Sequence, residues 1–97
     1  RLSPMKADLA NNLAWVLLTA KDRSLRDPRR ALTLARSAAM LKENGYILDT
    51  LALALWANGF VEEAVEAEIK AARRDPEHWR YYRVQAEKFQ TSTWEDS

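Results

Sequence analysis

The chain has 97 residues, of which 47% are hydrophobic and 30% are charged, and its formal net charge is +1. It is too apolar for a disordered chain, and its two glycines and three prolines are too few for an all-β fold joined by turns. Without cysteine, it has no disulfide framework, thiolate nucleophile or cysteine-based zinc site. The longest apolar run covers residues 51–57, far short of the roughly 20 residues of a membrane span. We therefore expect one folded domain and no membrane span.

Helix boundaries can be placed from the prolines and glycines. Each proline follows a residue whose side chain caps helices, in the pairs Ser3-Pro4, Asp27-Pro28 and Asp75-Pro76. Asn44-Gly45 and Asn58-Gly59 are typical of helix ends, where the chain adopts a positive φ. Together with the apolar periodicity, these signals predict an all-α fold with helices over residues 4–21, 28–43, 46–58, 61–74 and 76–90.

The first and third helices differ in how their apolar residues are distributed. The third is apolar on nearly every side, which predicts that it lies buried between its neighbours, in the middle of the fold. The first helix is amphipathic, and we expect an inward stripe that is widened by smaller and flanking residues. The stripe consists of Leu9, Leu13, Val16, Leu17 and Ala20, and Ala10, Ala14 and Leu18 widen it.

An acidic residue interrupts the inward stripe of the fourth helix. Val61, Ala64 and Ala71 belong to this stripe, and Glu68 stands where an apolar residue is expected. Two interpretations stay open: the stem of Glu68 carries its carboxylate to the edge of the helix, or the carboxylate meets a base of the fifth helix such as Arg83.

The charges are divided unevenly between the two halves of the chain. Residues 1–44 carry nine basic and four acidic residues, whereas residues 45–97 carry six basic and ten acidic residues. This division suits either a solvated surface or two ends of opposite sign that help modules meet. The basic loop before the second helix has no aromatic residue for base stacking, so nucleic acid is an unlikely partner; its arginines are Arg23, Arg26, Arg29 and Arg30.

Two helical hairpins of about 34 residues recur along the chain. Residues 13–14 align with residues 51–52, and residues 31–38 align with residues 64–71. The two units differ in their connections, because the loop at residues 21–27 is longer than the turn at residues 58–60. Small residues at equivalent positions let the helix backbones approach closely: Ala14, Ala31, Ala38, Ala52, Ala64 and Ala71.

The stretch from Leu48 to Ala64, LDTLALALWANGFVEEA, resembles the tetratricopeptide repeat family. The first hairpin keeps the Asn12-Leu13-Ala14 segment of the pattern, with a longer loop, and Glu68 departs from it in the second. The resemblance implies an alpha-alpha superhelix that is a fragment of a longer repeat protein. It divides one domain at residues 4–90 into a hairpin at 4–43, a hairpin at 46–74 and a C-terminal capping helix at 76–90, before a frayed tail at 91–97.

No candidate catalytic, metal or cofactor site emerges from the sequence. His78 is the only histidine, and a solvent-exposed or capping role suits it better than catalysis. Glu62 and Glu63 are adjacent on a helix and point about 100° apart, so they do not form a carboxylate pair. We therefore expect a non-catalytic protein without a cofactor.

Binding of a protein or peptide is the function that the resemblance implies. In stacks of helical hairpins, the first helix of each pair lines a concave groove, where asparagines bind ligand amides and aromatic residues serve as anchors. The predicted groove residues are Asn11, Trp15, Leu18, Asp49, Leu53, Trp56, Arg80 and Arg83. Core packing stays open for the two tryptophans, and a buried polar or capping role for the asparagine. The alternative function is homo-oligomerisation through the charged ends and Trp79, Tyr81 and Tyr82.

Overall fold

The computed structural model describes residues 4–97 and places five α-helices in this range, with no strand. Ser3, the predicted cap of the first helix, lies outside the described residues. The helices are α1 (Pro4–Thr19), α2 (Pro28–Leu41), α3 (Gly45–Ala57), α4 (Val61–Arg74) and α5 (Trp79–Thr91). Short 3-10 turns occupy Arg23–Leu25, Pro76–His78 and Trp94–Asp96. The predicted all-α class is confirmed. Within residues 4–97, no helix combines the length and apolarity that crossing a membrane requires.

The predicted capping residues act in three different ways. Asp27 caps α2 as expected, since its carboxylate accepts a hydrogen bond of 3.2 Å from the Arg30 backbone N–H. Asn44 caps the start of α3 rather than the end of α2, and its side chain accepts from the Ile47 N–H at 3.2 Å. Asp75 makes no side-chain cap bond. Its carboxylate is used elsewhere in the fold, as described below.

The two glycines serve different purposes. Gly59 follows α3 with a φ of 88°, which confirms the predicted left-handed turn. The prediction of a positive φ at Gly45 was wrong, because Gly45 is the first residue of α3. A Cβ atom there would clash with the Tyr82 hydroxyl and lie 2.7 Å from Asp75 Cβ. Because Gly45 has no side chain, the first turn of α3 can lie directly against Asp75 and Tyr82.

Helix α3 is the centre of the fold, as its apolar sequence predicts. It packs most closely on α4 and also contacts α2 and α1, while α5 packs on α4. Eleven of its 13 residues are buried. The alanines expected to permit close approach are all 0% exposed: Ala14, Ala31, Ala38, Ala52, Ala64 and Ala71. Close contact between backbones thus replaces large side chains across much of the core.

The buried face of α1 coincides only in part with the predicted stripe, in Ala14 and Leu18. Its members are Ala7, Asn11, Ala14 and Leu18. By contrast Leu9, Leu13 and Val16 are 63%, 40% and 55% exposed, so the predicted inward stripe was wrong for these three residues. The small residues on the buried face allow α1 to lie close to its neighbours, which turns the larger side chains outward.

Replacing Ala52 with Leu is expected to destabilise the fold by roughly 1–3 kcal/mol, because the larger side chain has no space in the closely packed centre. Urea unfolding followed by circular dichroism measures this loss. Ser37→Leu, at an exposed position of α2, is the control and should change the free energy of unfolding by less than about 0.5 kcal/mol. Equal stability of the Ala52→Leu variant and the parent chain would contradict the close approach of the helices.

Candidate functional site

A concave cavity of about 360 Å³ lies between α1, α3 and α5. Five of the eight residues predicted from the sequence line it together: Trp15, Leu18, Asp49, Leu53 and Trp56. They come from α1 and α3, and α5 completes the wall. The first, third and fifth helices therefore share one concave surface.

The two tryptophans predicted for the groove differ in how deeply they are buried in this cavity. Trp15 is 39% exposed and belongs to the rim, whereas Trp56 is 4% exposed and belongs to the floor. Trp56 stacks on Phe89 with ring centres 5.0 Å apart, and its indole N–H donates to the Ser92 carbonyl at 3.2 Å. Trp56 is therefore a core residue, and Trp15 is the tryptophan of the predicted groove that remains accessible to a partner.

Three predicted groove residues lie outside the cavity. The side of α5 that lines the cavity consists of Tyr81, Gln85 and Lys88. Since successive helical residues are about 100° apart, Arg80 and Arg83 fall on other sides of α5 and flank Trp79 instead. Asn11 is buried in α1 at 7% exposure, and no donor reaches its side-chain oxygen. The spacing of the lining residues could be predicted from the sequence. The rotation of α5, which decides which of its side chains face the cavity, could not.

The cavity contains a polar group that lies deep among apolar walls. Asp49 is 8% exposed and accepts a hydrogen bond of 3.0 Å from the Tyr81 hydroxyl. The ammonium group of Lys88 lies 5.3 Å from the centre of the Trp56 ring, at the same wall. The lining thus combines aromatic surface with a few oriented polar groups, which is the usual composition of ligand pockets.

Glu68 lies behind this wall and is the most unusual polar residue of the core. It is 1% exposed, and within the described range 4–97 neither of its carboxyl oxygens accepts a hydrogen bond from an N–H or O–H donor. Both predicted environments, the helix edge and a basic partner such as Arg83, were wrong. Burial, and secondly the neighbouring Asp49 carboxyl, raise the pKa of Glu68 to about 11, so it is neutral at pH 7. Burial also raises the pKa of Asp49.

His78 lies away from the cavity, at the turn before α5. Its Nδ1 atom is 2.9 Å from the Asp75 carboxylate, which also accepts a hydrogen bond of 2.7 Å from the Tyr82 hydroxyl. The contact with Asp75 raises the pKa of the exposed His78 imidazole. This cluster joins the start of α5 to the 3-10 turn before it. Among residues 4–97, no group of three or more His, Asp or Glu side chains is arranged to hold a metal ion.

The segment after α5 borders the cavity, although the sequence predicts a frayed tail for residues 91–97. Trp94 is half-buried against the core, and its indole N–H donates to the Leu18 carbonyl at 3.3 Å. The guanidinium of Arg23 donates to the carbonyl oxygens of Glu95 and Ser97 at 2.9 and 3.0 Å. Residues 92–97, called the tail below, therefore cross from α5 to the loop of the first hairpin.

Comparison with known proteins identifies no relative. No protein-family model matches the chain, and neither the curated proteins nor the solved structures include a significant match. The functional assignment therefore rests on the geometry of the cavity and on the residues around it.

Changing Glu68 to Gln is expected to stabilise the protein at alkaline pH. The raised pKa means that the folded state retains a proton that the unfolded chain loses above about pH 4.3, so the contribution of Glu68 to stability falls as the pH rises. A glutamine stays neutral and removes this dependence. Urea unfolding should show a gain of at least about 1 kcal/mol at pH 8 and little change at pH 4.5.

Glu66→Gln, the same substitution at an exposed position of the same helix, is the matched control for the loss of one carboxyl group. A Glu68→Gln variant that loses the same stability at both pH values would show that Glu68 is ionised in the folded protein.

Proposed function

We propose that the chain is a non-catalytic protein-interaction module whose concave cavity binds an extended peptide segment of a partner protein. The observation that carries this proposal is the shared lining of the cavity by Trp15, Tyr81 and Asp49, an exposed indole beside an oriented hydroxyl–carboxylate pair. Aromatic side chains at such rims provide desolvated contact area, and fixed polar groups bind the backbone or polar side chains of a peptide.

The rigid support of the cavity favours binding without large rearrangement. Its floor is formed by Leu18, Leu53 and Trp56, which are 2%, 8% and 4% exposed. Because these residues are already packed in the core, the cost of ordering on association falls mainly on the partner. This is the behaviour of a preformed docking surface.

We infer further that the helices form two tetratricopeptide-like hairpins, α1–α2 and α3–α4, followed by α5 as a capping helix. The short turn around Gly59 and the fully buried alanines support this arrangement. The longer loop of the first hairpin and the buried Glu68 are its two departures from the family pattern. In such an arrangement the cavity corresponds to the concave groove of the repeat.

Self-association is the second candidate, and an outward apolar stripe on α1 favours it. This stripe consists of Met5, Leu9, Leu13 and Val16, which are all exposed. At the opposite end, α4 and α5 enclose an apolar groove of about 420 Å³ that includes Ile69 and Trp79. A head-to-tail contact would join these two apolar ends, which belong to the halves of opposite net charge. Of the three aromatic residues predicted for this interface, Tyr82 is buried and Tyr81 is bonded to Asp49.

The Trp15→Ala variant should lose peptide binding while it keeps the fold. Peptides selected from an unbiased displayed library against the whole chain provide the ligands, and fluorescence anisotropy measures their affinity. Removing this exposed aromatic anchor should weaken binding at least about tenfold. Trp79 is similarly exposed on the outer side of α5, so Trp79→Ala is the matched control and should bind as the parent chain does.

Light scattering of the same variants separates the two candidate functions. A monomeric parent chain whose peptide binding depends on Trp15 supports the interaction module. An oligomer that dissociates in the Trp79→Ala variant or at high salt, with no peptide selected, would replace that proposal with self-association.

A further inference from the structure

The tail contacts the rim of the cavity in the way that a bound peptide would. Trp94 lines the cavity together with Trp15 and Leu18, and the Trp94 indole N–H donates to the Leu18 carbonyl at 3.3 Å. A single 3-10 turn covers Trp94–Asp96, and the other hydrogen bonds between the tail and the first hairpin are accepted by backbone oxygens of the tail. One aromatic anchor and backbone hydrogen bonds are the elements by which grooves bind short peptides.

Two arginines of the loop between α1 and α2 contact the tail. Arg23 donates to the carbonyl oxygens of Glu95 and Ser97, at 2.9 and 3.0 Å. Arg26 is fixed by a 2.8 Å hydrogen bond from its Nε to the Ala20 carbonyl, and its guanidinium lies 5.7 Å from the centre of the Trp94 ring. This loop is longer than expected for a helical hairpin, and it places Arg23 and Arg26 at the edge of the cavity. We call these two arginines the clamp.

The two arginines of the clamp, Arg23 and Arg26, make one kind of contact that any peptide offers and one that needs an aromatic side chain. Arg23 donates to backbone oxygens, which every peptide carries, whereas Arg26 lies against the indole ring of Trp94, whose N–H donates to the Leu18 carbonyl. The site therefore fits an aromatic residue followed by a segment with accessible backbone carbonyl groups.

We propose that the tail covers one edge of the proposed peptide cavity in cis, and that the partner is a peptide segment with an aromatic residue, which binds by displacing Trp94 from its place at Leu18. This inference rests on the proposed function and adds the chemistry of its ligand and the competition that controls access. A tethered segment competes at an effective concentration in the millimolar range for short linkers. The tail therefore weakens the binding of any free peptide until it is released.

The test uses the full chain and a fluorescein-labelled peptide with the sequence of residues 92–97, Ser-Thr-Trp-Glu-Asp-Ser. Trp94→Ala in the full chain should release the tail and raise the affinity for this peptide at least about tenfold, measured by anisotropy. Adding Arg23→Gln to the Trp94→Ala chain should reverse most of the gain. A peptide with alanine in place of its tryptophan should not bind, and Trp79→Ala in the full chain should leave the affinity at the value of the parent chain.

The possible outcomes separate the two proposals. Equal affinity of the parent and Trp94→Ala chains, or no binding of the tail peptide to either, overturns the inference. If library-selected peptides still bind in a Trp15-dependent manner, the proposed function stands without it. If no peptide binds, the proposed function fails as well. A concentration-dependent dimer of the parent chain that Trp94→Ala abolishes would place the tail in a second copy and overturn its occupation in cis. A thermal melt followed by circular dichroism confirms that each variant is folded.

Discussion

The burial of α3 is the constraint on which the rest of the structure depends. A 13-residue helix with eleven buried residues must be covered over most of its surface, and α1, α2 and α4 provide this cover. Alanines at the contacts bring those helices close, and Gly45 gives the first turn of α3 room beside Tyr82 and Asp75. The burial of α3 also fixes Leu53 and Trp56, which form a rigid floor of the cavity. The concave cavity is therefore a consequence of core packing and not a separate feature.

Two acidic side chains are buried in the otherwise apolar core, and both lie next to the cavity. Asp49 and Glu68 are removed from water, and the energy of burial keeps Glu68 protonated instead of pairing it with a base. A buried neutral carboxyl costs less than a buried charge, but it reduces stability relative to an apolar residue as the pH rises. The Tyr81 hydroxyl orients Asp49 toward the cavity, so this cost accompanies an ordered polar group at the proposed peptide site.

The sequence predicts the helices better than the faces that they present. Proline, glycine and apolar periodicity located all five helices, and small residues identified the close contacts, because both signals are local. The predicted inward face of α1 was wrong for Leu9 and Val16, which are exposed although they are larger and more apolar than the alanines that are buried. Hydrophobicity favours burial of the large residues, whereas the distance between helices selects the small ones, and only the packed structure decides between them.

The same limit applies to the candidate site. Trp15 and Asp49 could be assigned to the concave side because α1 and α3 alternate with α2 and α4 along the chain. The rotation of α5, which brings in Tyr81 and excludes Arg83, depends on the 3-10 turn at Pro76–His78 that no local pattern indicated. Trp94 was missed because its hydrogen bond to Leu18 joins residues 76 positions apart, a separation at which sequence periodicity carries no information.

Native-state hydrogen exchange measured by NMR tests the central position of α3 most directly. If α3 organises the fold, the amides of residues 48–57 exchange only through global unfolding, and their opening free energy equals that from urea denaturation. The amides of α1 and α5, at the outer ends, should exchange through smaller openings. Faster exchange in α3 than in α1 or α5 would show that the helix is not the buried centre, and the account of the cavity floor would fail with it.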